Sequence, residues 1–152
     1  MKLADYLKEE RIILDLEVGD KEDAINKMVD YLSSSTEILD LGAFKKDVFE
    51  RESLYTTGIG DGVALPHARS KSVNSFAVVF ARVSDGIDFK SIDSKPVKLI
   101  FLMATPKDRE LKSYLRILAH MSRLLKDDSF KELLLGAQSS EDIIKAFKDA
   151  ED

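Results

Sequence analysis

One of the two histidines in this chain ends the run Thr56-Thr57-Gly58-Ile59-Gly60-Asp61-Gly62-Val63-Ala64-Leu65-Pro66-His67. A neutral imidazole is a good nucleophile, and histidine changes charge near neutral pH. Phosphoryl transfer asks little more of a protein than an in-line nucleophile and donors for the equatorial oxygens. Gly58, Gly60 and Gly62, at alternate positions, let the backbone turn sharply and approach another group closely. Successive N–H groups in such a turn form an anion-binding concavity, to which Thr56 and Thr57 add hydroxyls. A guanidinium grips phosphate bidentately, and Arg51 and Arg69 flank the run. Pro66 has no N–H to give a ladder, so the strand is expected to fray or end there. That would leave His67 at a sheet edge or end, open to a partner. Taken singly, a histidine after a strand also fits a packing role, and three glycines also fit a plain turn.

The elements around this run follow from periodicity. Residues 2–9 read as a short opening helix and Arg11 to Leu16 as a short strand. Asp20 is placed to cap a helix whose apolar face is Ala24, Ile25, Met28, Val29 and Leu32. A second helix, from Ala43 to Ser53, turns Phe44, Val48 and Phe49 inward. Phe76–Val83 and Val97–Ala104 are nearly continuous apolar runs, which is the pattern of strands covered on both faces. Ser84-Asp85-Gly86 is expected to turn the chain between them, and Thr105-Pro106 to end the second. The longest helix starts near Asp108 with a stripe of Leu111, Tyr114, Leu115, Leu118, Ser122 and Leu125. Two shorter helices follow, around Phe130–Leu135 and after Ser140. Ser139 or Ser140 caps the last, which buries Ile143, Ile144 and Phe147. The predicted fold is a single α/β domain over residues 1–152, a mixed sheet between helices on both faces.

Composition narrows the function. A chain of 152 residues has room for one substantial core. The net charge of -5 argues against nucleic acid, which needs a basic face. Zero cysteine removes disulfides and thiolate metal sites and fits a reducing compartment. With two histidines 53 positions apart, a zinc site is not expected. No cofactor is expected either. The start of the chain is charged within a few residues and shows no apolar signal core. No segment reaches the roughly 20 apolar residues that span a bilayer, so a cytoplasmic location is expected, without membrane insertion.

Glu52, then Ile59-Gly60, then Val63-Ala64-Leu65-Pro66-His67-Ala68, resembles the phosphorylation-site signature of the type-2 EIIA domains. These belong to the bacterial phosphoenolpyruvate:sugar phosphotransferase system, in the fructose/mannitol class that includes the nitrogen-regulatory EIIA proteins. Arg51-Glu52 is similar to the family's Arg-Glu pair. Pro96–Leu102, Leu118–Leu125 and Ala137-Gln138-Ser139 resemble its later strand, long helix and final helix entry. The resemblance implies a mixed sheet between helices, His67 as phosphoryl acceptor and Arg51 as a phosphate contact. It also implies a phosphorylated HPr-like carrier as donor, with an EIIB domain or a regulatory target as the next partner. Thr56, Thr57, Gly58 and Gly60 are then candidate phosphate-binding positions.

One position departs from the family. A second active-site histidine commonly stands near the start of the long helix, and it falls on Tyr114 here. A phenol donates one hydrogen bond but carries no positive charge near neutral pH. His120 does not replace it, because six residues of helix rotate it about 120° away from Tyr114; it reads as a solvated surface histidine. Two functions follow: a phosphocarrier for sugar uptake or nitrogen/potassium-type regulation, or a binding module whose partner affinity follows His67 phosphorylation or that has lost phosphotransfer. On the expectation that the chain stands alone, without an EIIB or membrane portion, the binding module is favoured somewhat, as it is by Tyr114.

Overall fold

The computed structural model describes residues 2–152. Two 3-10 turns, Leu3–Tyr6 and Glu9–Arg11, lead into β1 (Ile12–Ile13), α1 (Lys21–Asp30) and α2 (Leu41–Leu54). Then come β2 (Gly58–Gly60), β3 (Val63–Ala64), β4 (His67–Ser70), β5 (Ala77–Ile87) and β6 (Val97–Pro106). Helices α3 (Leu111–Leu124), α4 (Asp128–Gly136) and α5 (Ser140–Glu151) close the chain.

The six strands form one mixed sheet in the order β1-β5-β6-β3-β2, with β4 also paired to β6. β5 and β6 run antiparallel at the centre, β1 is parallel to β5, and β3 and β4 are both parallel to β6. Residues alternate between the two faces, as the pleat requires. Leu99, Phe101 and Met103 face the 3-10 turns and α3–α5; Ile100, Leu102 and Ala104 face α1 and α2. The expected two-sided cover of the apolar strands is therefore present, and with it the α/β sandwich.

Local sequence explains the helix starts. Asp20 accepts from Asp23 N–H at 2.8 Å, Asp40 from Ala43 N–H at 3.0 Å, and Ser139 from Asp142 N–H at 3.1 Å. Each carboxylate or hydroxyl satisfies a donor that the first helical turn leaves open. Ala24, Ile25, Met28, Val29 and Leu32 are buried, as are Phe44 and Val48, while Phe49 is partly covered.

Four expectations need correction. The opening segment forms 3-10 turns rather than one helix: the Glu151 carboxylate takes the N–H groups of Leu3 and Ala4 at 2.7 and 2.9 Å and pins them. The first strand shrinks to Ile12–Ile13, and beyond it the Leu14 carbonyl accepts from the Arg82 guanidinium at 3.0 Å. Ser84-Asp85-Gly86 does not turn the chain between strands. It is an irregularity inside β5, where Gly86 has φ +75° and the register to β6 shifts. The buried side of α3 is Ile117 and Met121, followed by Leu125. Leu111 and Leu115 are about half exposed, at 54% and 52%.

Candidate functional site

Leu65 and Pro66 interrupt the strand between β3 and β4. Before the break, Val63 and Ala64 pair with Leu99 and Ile100 of β6; after it, His67 is in register with Met103. His67 thus begins a strand, where the proline had been expected to end one. Pro66 still matters: its carbonyl accepts from Met103 N–H at 3.0 Å while its missing N–H costs nothing at the break. Nor is the imidazole open. His67 is only 6% exposed, so any phosphoryl donor must present its group to a nearly covered ring.

One nitrogen of that ring is committed. Nδ1 of His67 lies 2.6 Å from the Leu65 carbonyl oxygen, which accepts its proton. Nε2 is then the nitrogen with the free lone pair. Burial pushes the His67 pKa below the usual histidine value of 6.5. The Leu65 bond and the Glu52 carboxylate pull it upward, and the Arg51 charge pushes it further down. The net result is an imidazole that is mainly neutral at pH 7, with its proton on Nδ1 and its lone pair on Nε2.

Arg51 sits in the last turn of α2, and its Nη1 donates to the Tyr55 carbonyl at 2.8 Å. With Arg69, Lys107 and Tyr114 it lines an open cleft of about 570 Å³ that also takes in Asp47 and Glu50. The Tyr114 ring lies beside His67, with centroids 5.6 Å apart and planes inclined at 58°. Burial raises the Tyr114 pKa and the charges of Arg51 and Arg69 lower it, with burial prevailing, so the phenol keeps its proton. His67, Arg51 and Tyr114 are thus brought together by β4, the end of α2 and the start of α3.

The glycine-rich run has a different job from the one expected. Thr57 gives its N–H and its hydroxyl to Glu52, at 2.7 and 2.5 Å. Gly58 N–H goes to Thr56 Oγ1 at 3.1 Å, and Thr56 Oγ1 donates to the Phe89 carbonyl at 3.2 Å. These donors are used inside the fold. At Gly60, φ is +98° and a Cβ would stand 3.3 Å from the Asp93 carboxylate, a neighbour of the wrong charge for phosphate. The hydroxyls of Thr56 and Thr57 and the N–H groups of Thr57 and Gly58 are taken up inside the fold, and no donor for phosphoryl oxygens is found among these bonds.

Glu52 stands out as the residue whose role the sequence did not suggest. Its carboxylate is 5% exposed, pairs with Lys21 Nζ at 2.7 Å and holds Thr57. Thr57 in turn accepts the Leu65 N–H at 3.0 Å, and Leu65 holds His67. Its place in the signature, one residue after Arg51, was the only pointer. His120 is also corrected: it is paired rather than solvated. Its Nε2 lies 2.6 Å from Glu151 and its Nδ1 accepts from Arg123 at 2.8 Å, so it clamps α3 to the C-terminal helix.

Comparison with known proteins shows the family to which this fold belongs. Residues 5–150 match the family described as phosphoenolpyruvate-dependent sugar phosphotransferase system, EIIA 2. The chain is 36% identical over 144 residues to the fructose-specific EIIABC component of Bacillus subtilis, covering 95% of this chain and 22% of that longer protein. It is 36% identical over 134 residues to the fructose-specific EIIA component of Haloferax volcanii, covering 88% of this chain and 86% of the relative. The nitrogen regulatory protein IIA-Ntr of Neisseria meningitidis superposes with a TM-score of 0.88 at 29% identity, over 95% of this chain and 98% of that one. Sheet order, the His67 run and these similarities converge: the chain belongs to the EIIA type-2 family of the phosphoenolpyruvate-dependent sugar phosphotransferase system.

Proposed function

We propose that this chain is a phosphocarrier that accepts a phosphoryl group on Nε2 of His67 from a histidine-phosphorylated, HPr-like protein. The observation that carries this is the 2.6 Å bond from His67 Nδ1 to the Leu65 carbonyl in a nearly buried ring. In the step, the His67 Nε2 lone pair attacks phosphorus and the P–N bond to the carrier's imidazole breaks. The carrier's ring leaves neutral, keeping the proton on its other nitrogen. His67 keeps its Nδ1 proton, and the positive charge that develops on the phosphorylated ring is stabilised by the Leu65 oxygen. No proton changes hands between the two rings. Arg51, lining the cleft, supplies a cation for the phosphoryl oxygens.

The group then passes to an EIIB-type domain, or the phosphorylated face acts as a signal. The Bacillus and Haloferax relatives are named as fructose-specific components, and the Neisseria protein as a nitrogen regulatory protein. The regulatory reading is supported by the overlay on IIA-Ntr over nearly all of both chains. The test follows labelled phosphate from phosphoenolpyruvate through enzyme I and a carrier onto wild type and His67→Ala. Label on wild type that disappears in the variant supports the reading. An unlabelled wild type, with sugar-branch and nitrogen-branch carriers both tried, refutes it and leaves a binding module. Pull-downs with both phosphorylation states then separate transport from signalling: partners that change with phosphorylation indicate signalling.

A further inference from the structure

Arg69 stands two residues beyond His67 on β4, so both side chains leave the same face of the strand. Its Nη2 donates to the carbonyls of Lys107 and Arg109, at 3.0 and 2.9 Å, tying the strand to the segment that enters α3. Its guanidinium carbon lies 5.5 Å from the centroid of the Tyr114 ring, within cation–π range. That same ring is the one beside His67. Arg69 Nε is buried and has no hydrogen-bond partner among the described residues. A buried donor on a cation without an acceptor is costly, and an anionic oxygen is the acceptor that relieves it.

We propose that Arg69 and Tyr114 act as one unit at the phosphorylation site: Arg69 holds the Tyr114 ring against His67 and adds a second positive charge beside the phosphoryl oxygens. This rests on His67 being the acceptor. Tyr114 alone offers one neutral hydroxyl. The stacked guanidinium fixes where that hydroxyl stands and supplies the charge the phenol lacks. Arg51 and Arg69 line the cleft from α2 and β4, and Tyr114 joins that lining to the His67 ring, so a group carried on His67 is approached by two cations rather than one. Two carbonyl anchors hold Arg69 before any donor arrives, so its charge costs no reorganisation at the moment of transfer. Arg69 is in this sense a positioning residue for Tyr114.

The test compares wild type with Arg69→Gln, Arg69→Lys, Tyr114→Phe and the double variant Arg69→Gln/Tyr114→Phe. Label is supplied by a phosphorylated carrier and, separately, by phosphoramidate, a small donor that needs no docking surface. Arg69→Gln is expected to slow labelling of His67 about tenfold in maximal rate, with the half-saturating donor concentration nearly unchanged. Arg69→Lys keeps the charge and loses the planar stack, and recovers about threefold of that loss. The double variant is expected to be no more than about twofold slower than the slower single, because the two residues act as one. In NMR titrations of the unphosphorylated protein the Tyr114 phenol midpoint should rise in Arg69→Gln, a readout taken without any transfer step. Wild-type labelling rates in Arg69→Gln, or effects that multiply in the double variant, overturn the proposal while leaving His67 as acceptor. A wild type that takes label from neither donor removes the acceptor reading, and this role with it. Should Arg69→Gln fail to fold, Tyr114→Phe carries the test: an unchanged rate there overturns the unit.

Discussion

Removing the Glu52 carboxylate should do more damage than any other single truncation near His67. The side chain is 5% exposed and its partner Lys21 is 18% exposed, with 2.7 Å between charged atoms. At that distance the attraction is about 6 kcal/mol at an effective dielectric of about 20, most of it already offset by desolvation. Truncating one partner loses the attraction and keeps the other partner's desolvation, so Glu52→Ala should cost about 3–5 kcal/mol. Thr57 loses the acceptor for its N–H and its hydroxyl at the same stroke. For a domain of this size that corresponds to a fall in Tm of about 6–20 °C. Urea unfolding with unchanged m-value is the assay. Adding Lys21→Met should win back about 1–3 kcal/mol, because the stranded ammonium is gone. The site should respond as well: Glu52 holds the His67 pKa up, so its loss moves that midpoint lower still. A loss below about 1 kcal/mol would refute this reasoning. So would a Lys21→Met addition that destabilises further.

Three other outcomes are expected. His67 should titrate with a midpoint below 6.5, with 15N ring shifts showing the proton on Nδ1 at neutral pH. The unfolded chain then binds that proton at higher pH than the folded one. This contribution to stability is full above about pH 6.5 and fades as pH falls through the folded pKa, a slope that His67→Gln should remove in pH-dependent melts. Gly58→Ala should destabilise by about 1–3 kcal/mol, because a Cβ there would meet the Ser91 backbone at 2.8 Å; thermal melting reads it. Arg82→Met should cost about 3 kcal/mol or more in urea unfolding. It strips the donor from the carbonyls of Leu134, Leu135 and Ala137 at the end of α4 and from Leu14.

What the sequence made legible was what local physics decides. Asp20 and Ser139 announced helix starts because a short acceptor before an apolar period has one economical use. The nearly continuous apolar runs of β5 and β6 announced a sheet covered on both faces. Other features depend on partners far along the chain. Just past the first strand the Leu14 carbonyl is taken by Arg82, 68 residues away. His120 meets Glu151 across 31 positions, which no helical wheel contains. α3 carries apolar residues over a wide arc, so a wheel alone could not choose between Leu111–Leu115 and Ile117–Met121. At the site, residue type pointed to His67, Arg51 and Arg69, and the family resemblance to Tyr114. The use of the loop's donors was hidden, because Thr56, Thr57 and Gly58 are as able to bind a carboxylate or one another as a phosphate.

The break at Leu65–Pro66 ties these observations together. A continuous strand from Val63 to Ser70 would engage carbonyls in the ladder throughout; the interruption frees the Leu65 carbonyl to take the His67 proton instead. The same residue's N–H stays bonded to Thr57, so the carbonyl that selects the tautomer is anchored through Thr57 to the Glu52–Lys21 pair. Tautomer, burial and orientation of the His67 ring are therefore set by a hydrogen-bonded path that starts in α1 and the end of α2 and reaches β4 without passing through the cleft. The cleft side, with Arg51, Arg69 and Tyr114, is left to deal with the incoming group. Substitutions on the first path should appear in stability and in the His67 titration, and substitutions on the second in transfer rate. A variant of Arg69 or Tyr114 that shifts the Nδ1 tautomer, or a Glu52 variant that alters rate at a fixed fraction of folded, neutral His67, would break that division.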